Sequence, residues 1–301
     1  MKKVCALGEI LFDIIEKDGK VNKYLGGAIA NVAGCIKALG GRAQIFAAIG
    51  KDQLGEELLK KILKMDFESN FGLFLAEKPT MYTFVRHDEK NNRSFDFFRT
   101  NTADMYYPKS KITKDYIEKG DVLHIGSLAY VKRTKQAINK AIKIAKLNHA
   151  LVSFDANIRL SLFKNQHALR KNILKLIKST NILKVSDDEV EFITKKPLKE
   201  GIDTLRKKVD LLIVTRAEKG SSAYILDKEY HCKAKPTKVV DTTGAGDAFI
   251  GAFLYLLLKE EKTIYDIDYP RYLNFASKVA SIVVAHLGAM GGFDKLKKAQ
   301  D

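Results

Sequence analysis

The sequence predicts an α/β fold: a mostly parallel central sheet flanked by helices, with a small β lid. Three observations predict it. Short β-rich runs alternate with helical patterns along nearly the whole chain, as successive βαβ units require. A length of 301 residues favours one large domain spanning 1–301 over two. One region, residues 80–99, breaks the rhythm and alternates polar with apolar instead.

The first strand is KVCALG, residues 3–8. The run that follows carries Glu9 and Asp13 within its apolar residues, so it reads as a strand leading into a functional loop rather than a signal peptide. Further strands are expected at AQIFAAIG, DVLHIGS, ALVSFDAN, NILKVS and DLLIVT. Helical periodicity falls near residues 28–40, 53–65, 134–147, 165–178, 187–194, 246–259 and 270–287. In TMYTFVRHDEKNNRSFDFFR the alternation on both sides of DEKNN predicts a hairpin with an Asn-containing turn. With the extended KVNKYLGG, residues 20–27, it forms a small sheet standing off the main one. The expected lid covers about 14–27 and 72–102, a suitable cover for a substrate cleft.

Composition excludes several classes. Hydrophobic residues make up 46% and charged residues 29%, the balance of a soluble globular protein. The longest apolar run, FIGAFLYLLL, is too short for a membrane span. Cys5, Cys35 and Cys232 are odd in number and form no CxxC pair, which suggests small apolar residues in a reducing, cytoplasmic setting. The net charge of +16 biases the surface toward anions. Its lysines are dispersed along helical stretches such as EELLKKILK, with no aromatic-basic interleaving, so nucleic acid is disfavoured as a partner.

The segment KVVDTTGAGDAFIGAF, residues 238–253, carries the chemistry. Gly244 and Gly246 let several backbone N–H groups converge, and the following helix adds its positive N-terminal dipole: an anion site suited to phosphate. A carboxylate beside it, Asp247, would compete with phosphate for those amides. It makes sense as a base that takes a proton from an attacking hydroxyl, or as a helix cap; the loop alone leaves both readings open. Earlier in the chain, GGAIANVAGCIKALGGRAQIFAAIGKDQLG, residues 26–55, places Gly26 and Gly27 where backbone can approach a ligand closely. Asn31 there offers an amide that both donates and accepts.

These two segments, in this order and spacing, resemble the two signatures of the PfkB, ribokinase-like carbohydrate kinases, and the early GEILFD extends the resemblance over the whole chain. The resemblance implies a three-layer fold with a β lid. It also implies transfer of the ATP γ-phosphate to a primary hydroxyl, with Mg2+ bridging phosphates. No GxxxxGK[ST] loop occurs. By resemblance, Asp247 is the base and Gly244, Ala245 and Gly246 form the anion hole. Asp13, Gly26, Gly27 and Asn31 would hold the sugar, and Asn157 and Arg159, in SFDANIR, would face substrate or phosphate. Thr215, Gly220, Asn274 and Ser277 fall near the nucleotide. Glu189 would act indirectly on magnesium. The family asparagine is here Ser186, and Ser186 with Glu189 also spells a helix capping box. Asp241 and Thr243, with carbonyls from 286–292, would supply oxygens to a monovalent cation such as K+.

For the acceptor, RSFDFFRTNTAD, residues 93–104, resembles the fructokinase lid, and Asp104 leans the same way. Phe95 and Phe97 would share one strand face and Phe98 the other, with Arg93 or Arg99 contacting hydroxyls or phosphate. The expectation is a fructokinase making fructose 6-phosphate. A 2-keto-3-deoxygluconate kinase or ribokinase, and a catalytically silent sugar- or nucleic-acid-binding regulator, stay open. Free edges in the lid suggest a homodimer.

Overall fold

The computed structural model describes residues 2–17, 20–68, 72–87 and 93–300. Thirteen strands and eight α-helices are described. Strands β1 (Lys3–Leu7), β2 (Leu11–Lys17) and β3 (Lys20–Gly26) precede α1 (Ala28–Ala38), β4 (Arg42–Gly50) and α2 (Gln53–Leu63). Then come β5 (Leu73–Ala76), β6 (Tyr82–His87), β7 (Arg93–Phe98) and β8 (Val122–Gly126). Next are α3 (Lys135–Leu147), β9 (Leu151–Asp155), α4 (Gln166–Ile177), β10 (Ile182–Ser186), α5 (Asp187–Thr194) and α6 (Leu198–Arg206). The chain ends with β11 (Leu211–Thr215), β12 (Ser221–Ile225), β13 (Lys228–Cys232), α7 (Ala245–Glu260) and α8 (Tyr269–Val284).

Nine strands form one sheet in the order β13-β12-β11-β10-β9-β8-β1-β4-β5. From β11 to β5 every pairing is parallel; β12 and β13 add an antiparallel edge. The interior strands read as continuous apolar runs because helices cover both faces. Alternation assigns the faces: Val4, Ala6, Leu211 and Ile213 pack with α1, α7 and α8. Cys5, Leu7, Leu212 and Val214 pack with α3, α4, α5 and α6 on the other side. Helix α7 is apolar almost all round and buried for most of its length, so it is the central strut of its layer.

The second sheet has the order β3-β2-β6-β7 and stands apart from the first. The expected hairpin is present as β6 and β7, paired antiparallel from Tyr82↔Phe98 to His87↔Arg93. Its Asn-containing turn lies outside the described residues. Two expectations need correction. Asp13 sits within strand β2, paired with Tyr24 and Thr83, not in a loop. Residues 198–206, given no element by periodicity, form α6, whose Ile202 and Leu205 reach the core beside α5. Three buried positions in nine residues are too short a pattern to stand out in sequence.

Candidate active site

A cavity of about 330 Å³ opens where the parallel strands end and α1 and α7 begin. Its lining comes from the residues just past β1, β8 and β9, from β10, and from the glycine loop before α7. That is where open α/β sheets bind ligands.

The loop builds one wall. Gly244 takes a left-handed φ of 78° as N-cap of α7, and a Cβ there would lie 2.6 Å from the Ala289 carbonyl oxygen. No described side chain caps the helix, so the positive end of its dipole lies uncapped at the cavity wall. At Gly246 a Cβ would lie 2.7 Å from Lys184 Nζ, so a side chain there would displace that ammonium. Gly244, Ala245, Gly246 and Thr243 all line the cavity.

Asp247 follows in the first turn, buried yet lining the cavity. Asn31 Nδ2 donates to its Oδ2 at 2.8 Å, and Asn157 Nδ2 to its Oδ1 at 3.2 Å. Two amides from opposite sides thus fix the carboxylate. Burial pushes its pKa above the ordinary carboxylate value, against the pull of Asn31, Lys184 and Arg159. Asn157 itself has a φ of 33°, a left-handed conformation that asparagine tolerates. Arg159 lines the same cavity.

Lys184 was not singled out by motif. It projects from the middle of β10, pairs with Asp155 at 2.9 Å and 3.2 Å, and is buried. Burial works against its charge, but Asp155, Glu189 and Asp247 together hold its pKa above the ordinary value. The signal in sequence was a lysine inside the apolar run ILKVS: a cation there must be paired or functional.

Glu189 makes both halves of the capping box: its Oε2 accepts from Ser186 N at 2.8 Å, and Ser186 Oγ accepts from Glu189 N. Its Oε1 accepts from Ile158 N at 2.6 Å. Both oxygens are therefore engaged by backbone, and Glu189 clamps the loop that carries Asn157 and Arg159. Asp241 does similar work. Its Oδ1 accepts from Thr243 N at 2.7 Å and its Oδ2 from Gly288 N at 2.6 Å, joining the glycine loop to the 286–292 segment.

The opposite wall belongs to the small sheet and the start of α1. Asp13, Gly27, Asn31, Leu11 and Phe97 line it; Gly26 instead packs its α-carbon against the Asp13 carboxylate. Phe97 faces the cavity and Phe98 stacks on Tyr82 on the other face, at 4.5 Å between rings, as strand alternation requires. The side chains of Arg93 and Phe95 lie outside the described residues. Arg99 does not line the cavity: it donates to Asp104 and to the Leu128 carbonyl, each at 2.7 Å, in a buried pair. Two buried oxygens on this wall, Asn31 Oδ1 and Glu9 Oε2, have no donor among the described residues.

Thr215 and Gly220 lie beyond this cavity, at the end of β11 and the turn into β12; Asn274 and Ser277 lie on α8, with Asn274 exposed. Ser277 Oγ is 3.9 Å from Cys232 Sγ.

A doubly covered sheet, a glycine loop opening a central helix and a buried carboxylate in its first turn define a phosphotransferase-type site. The family model for pfkB family carbohydrate kinases matches residues 1–296, and the chain belongs to that family. Fructokinase-2 of Oryza sativa subsp. japonica is 31% identical, over 99% of this chain and 93% of the relative. Among solved structures, the fructokinase of Vibrio cholerae is 26% identical with a TM-score of 0.87, covering 100% of this chain and 99% of that one. It was solved with fructose, ADP and calcium ion. The aminoimidazole riboside kinase of Salmonella enterica, 24% identical with a TM-score of 0.89 over 100% of both chains, shares the fold. No helix among the described residues is long and apolar enough to cross a membrane.

Proposed function

We propose that this carbohydrate kinase moves the γ-phosphoryl group of ATP to a primary hydroxyl of fructose, giving fructose 6-phosphate and ADP. The observation that carries the reading is Asp247: a buried carboxylate clamped by Asn31 and Asn157, directly after the amides of an uncapped helix start. One wall of the cavity suits migrating negative charge and the other suits hydroxyls.

Asp247 accepts the hydroxyl proton as the new O–P bond forms and the bond to the β-phosphate oxygen breaks. The amides of Gly244 and Gly246 receive the charge on the phosphoryl group in flight, joined by that of Ala245 as it exchanges its 3.3 Å bond to the Thr242 carbonyl. Lys184 and Arg159 add positive charge beside it. Asp13 and Asn31 orient the sugar, and Phe97 covers its C–H surface. Gly27 allows the backbone to approach it.

ATP brings Mg2+, which neutralises phosphate charge. Among the described residues no group of three or more His, Cys, Asp or Glu could hold an ion, which fits a metal held chiefly by phosphates and water. Glu189 would reach such water through its remaining lone pairs. Thr215, Gly220, Asn274 and Ser277 are the proposed nucleotide contacts. K+ is the proposed monovalent ion, beside Asp241, Thr243 and the 286–292 carbonyls; Asp241 already draws these two segments together.

The small sheet is the proposed lid, excluding water that could otherwise accept the phosphoryl group. Val21 and Phe98 are exposed on the two edge strands β3 and β7, on the face opposite Asp13 and Phe97, and a homodimer through the lid would cover them.

Fructose is favoured by the 31% identical fructokinase relative and by an aromatic from RSFDFF in the cavity. A coupled ADP-release assay over fructose, ribose and 2-keto-3-deoxygluconate tests it. The highest kcat/KM should fall on fructose; a higher value on the keto acid overturns the acceptor. Asp247→Asn should lower kcat by about 10²–10⁴ with ATP binding and fold retained. Near-normal turnover in that variant refutes the base.

A further inference from the structure

We propose that Glu9 is a specificity-determining residue of this site: its second carboxylate oxygen receives a hydrogen from a non-reacting hydroxyl of the bound sugar. The proposal rests on the sugar-kinase reading above.

Glu9 follows β1 directly and is only 3% exposed, yet it lines the cavity. Its Oε1 accepts from the Ala28 amide at 3.1 Å, at the start of α1. That bond fixes the carboxylate plane and hence the direction of Oε2. Among the described residues Oε2 has no hydrogen-bond partner, and it has almost no solvent contact. Leaving a buried charged oxygen unpaired is expensive.

The protein does not resolve the debt internally. The largest cationic influence on Glu9 is Arg99, whose Nε and Nη2 donate to Asp104 and to the Leu128 carbonyl rather than to Glu9. Burial is the leading cause that carries the Glu9 carboxyl up to about 7, with Arg99 only opposing it. Beside Oε2, a Cβ on Gly126 would stand 3.6 Å from it and 3.6 Å from Ile29 Cγ2, with the Ala28 methyl 4.0 Å away.

Capping α1 gains from the carboxylate's charge but engages only one of its two oxygens. The unexplained feature is therefore a second acceptor. It shares the sugar wall with Asn31 Oδ1, also without a donor, and with Asp13. A ligand that satisfies this wall must bring hydroxyl hydrogens, as a polyhydroxylated sugar does. A site built to pair with a hydroxyl rejects analogues lacking it, because its own buried group is then stranded.

Glu9→Gln separates the roles, because it keeps the acceptor for Ala28 and puts an NH2 where the free oxygen was. Wild type and variant are assayed on fructose and on its mono-deoxy and O-methyl analogues at each non-reacting hydroxyl. In wild type one position should carry a penalty of about tenfold or more in kcat/KM, the scale of one lost charged hydrogen bond. In Glu9→Gln fructose should fall by a similar factor, and the penalty at that single position should shrink to about twofold or less. The other positions should keep their wild-type penalties.

An unchanged analogue pattern in Glu9→Gln overturns the proposal and leaves Glu9 a structural cap, as does unchanged kinetics on fructose. If the variant does not fold, a wild-type crystal structure with fructose decides. A hydroxyl oxygen within hydrogen-bond distance of Oε2 upholds the assignment, and a water there in its place overturns it. Failure of wild type to phosphorylate any sugar would instead sink the kinase reading itself.

Discussion

Asp247 does its work by being dry. Burial lifts its pKa, so it is a stronger base than an exposed aspartate, and it must be deprotonated to accept the hydroxyl proton. The expected consequence is an acid limb in the kcat/KM profile lying above the ordinary carboxylate range, with activity lost as pH falls. A pH–rate profile checks it, and Asp247→Asn should abolish that limb. Glu9 gives a second, independent signature. Its folded-state pKa of about 7 lies above the ordinary value of 4.5. The stability it contributes is present at low pH and is lost as pH rises through about 7. The melting temperature of ligand-free Glu9→Gln should therefore vary less than wild type between about pH 5 and 8. Equal pH dependence in the two proteins would show that Glu9 is not held in a dry site.

Among the elements, the junction of β10 with α5 shows how secondary structure positions chemistry. Ser186 begins the helix, Glu189 closes the capping box, and the free arm of Glu189 holds Ile158 N next to Asn157 and Arg159. Ser186→Ala removes only the cap and should cost about 1 kcal/mol of stability, read from chemical denaturation, with little change in kcat. Glu189→Ala removes the clamp as well, and should lower kcat/KM by at least tenfold more than Ser186→Ala does. Equal effects would mean that the Ile158 bond does not organise the loop. S-x-x-E was legible in sequence as a capping box. The bond to Ile158 was not, because it joins residues 31 apart whose strands become neighbours only in the sheet.

For the whole molecule, one barrier divides interior from surface chemistry. Cys5 and Cys35 are buried and their thiols are pushed far up by that burial, while Cys232 is partly exposed on the edge strand β13. A native thiol titration should find one fast cysteine, and fructose with ATP should not expose the others. All three reacting at one rate would show the core opening on the assay's timescale. Ligands that bind only the folded chain also raise stability, by about 2.7 kcal/mol at a hundredfold excess over Kd. Fructose and ATP together should thus shift the melting temperature upward. No shift with either ligand would speak against a shared site on this fold.

Most of the alternating strands and helices, the separate hairpin and the glycine loop with its aspartate were written locally, while α6, β5, β12 and β13 were not. Periodicity, turn residues and the spacing of glycines are properties of neighbouring residues, and they survive in a linear reading. Alternation alone set Phe97 and Phe98 on opposite faces, and the fold decided that Phe97 is the one turned to the cavity. Tertiary structure decided the rest. Arg99, an expected ligand contact, pairs instead with Asp104; Lys184 and Glu9, charges set among apolar residues in the sequence, become buried groups at the cavity with neighbours no linear reading names. The physical reason is that desolvation and partnership depend on what the fold brings alongside a side chain, and those neighbours come from distant parts of the chain.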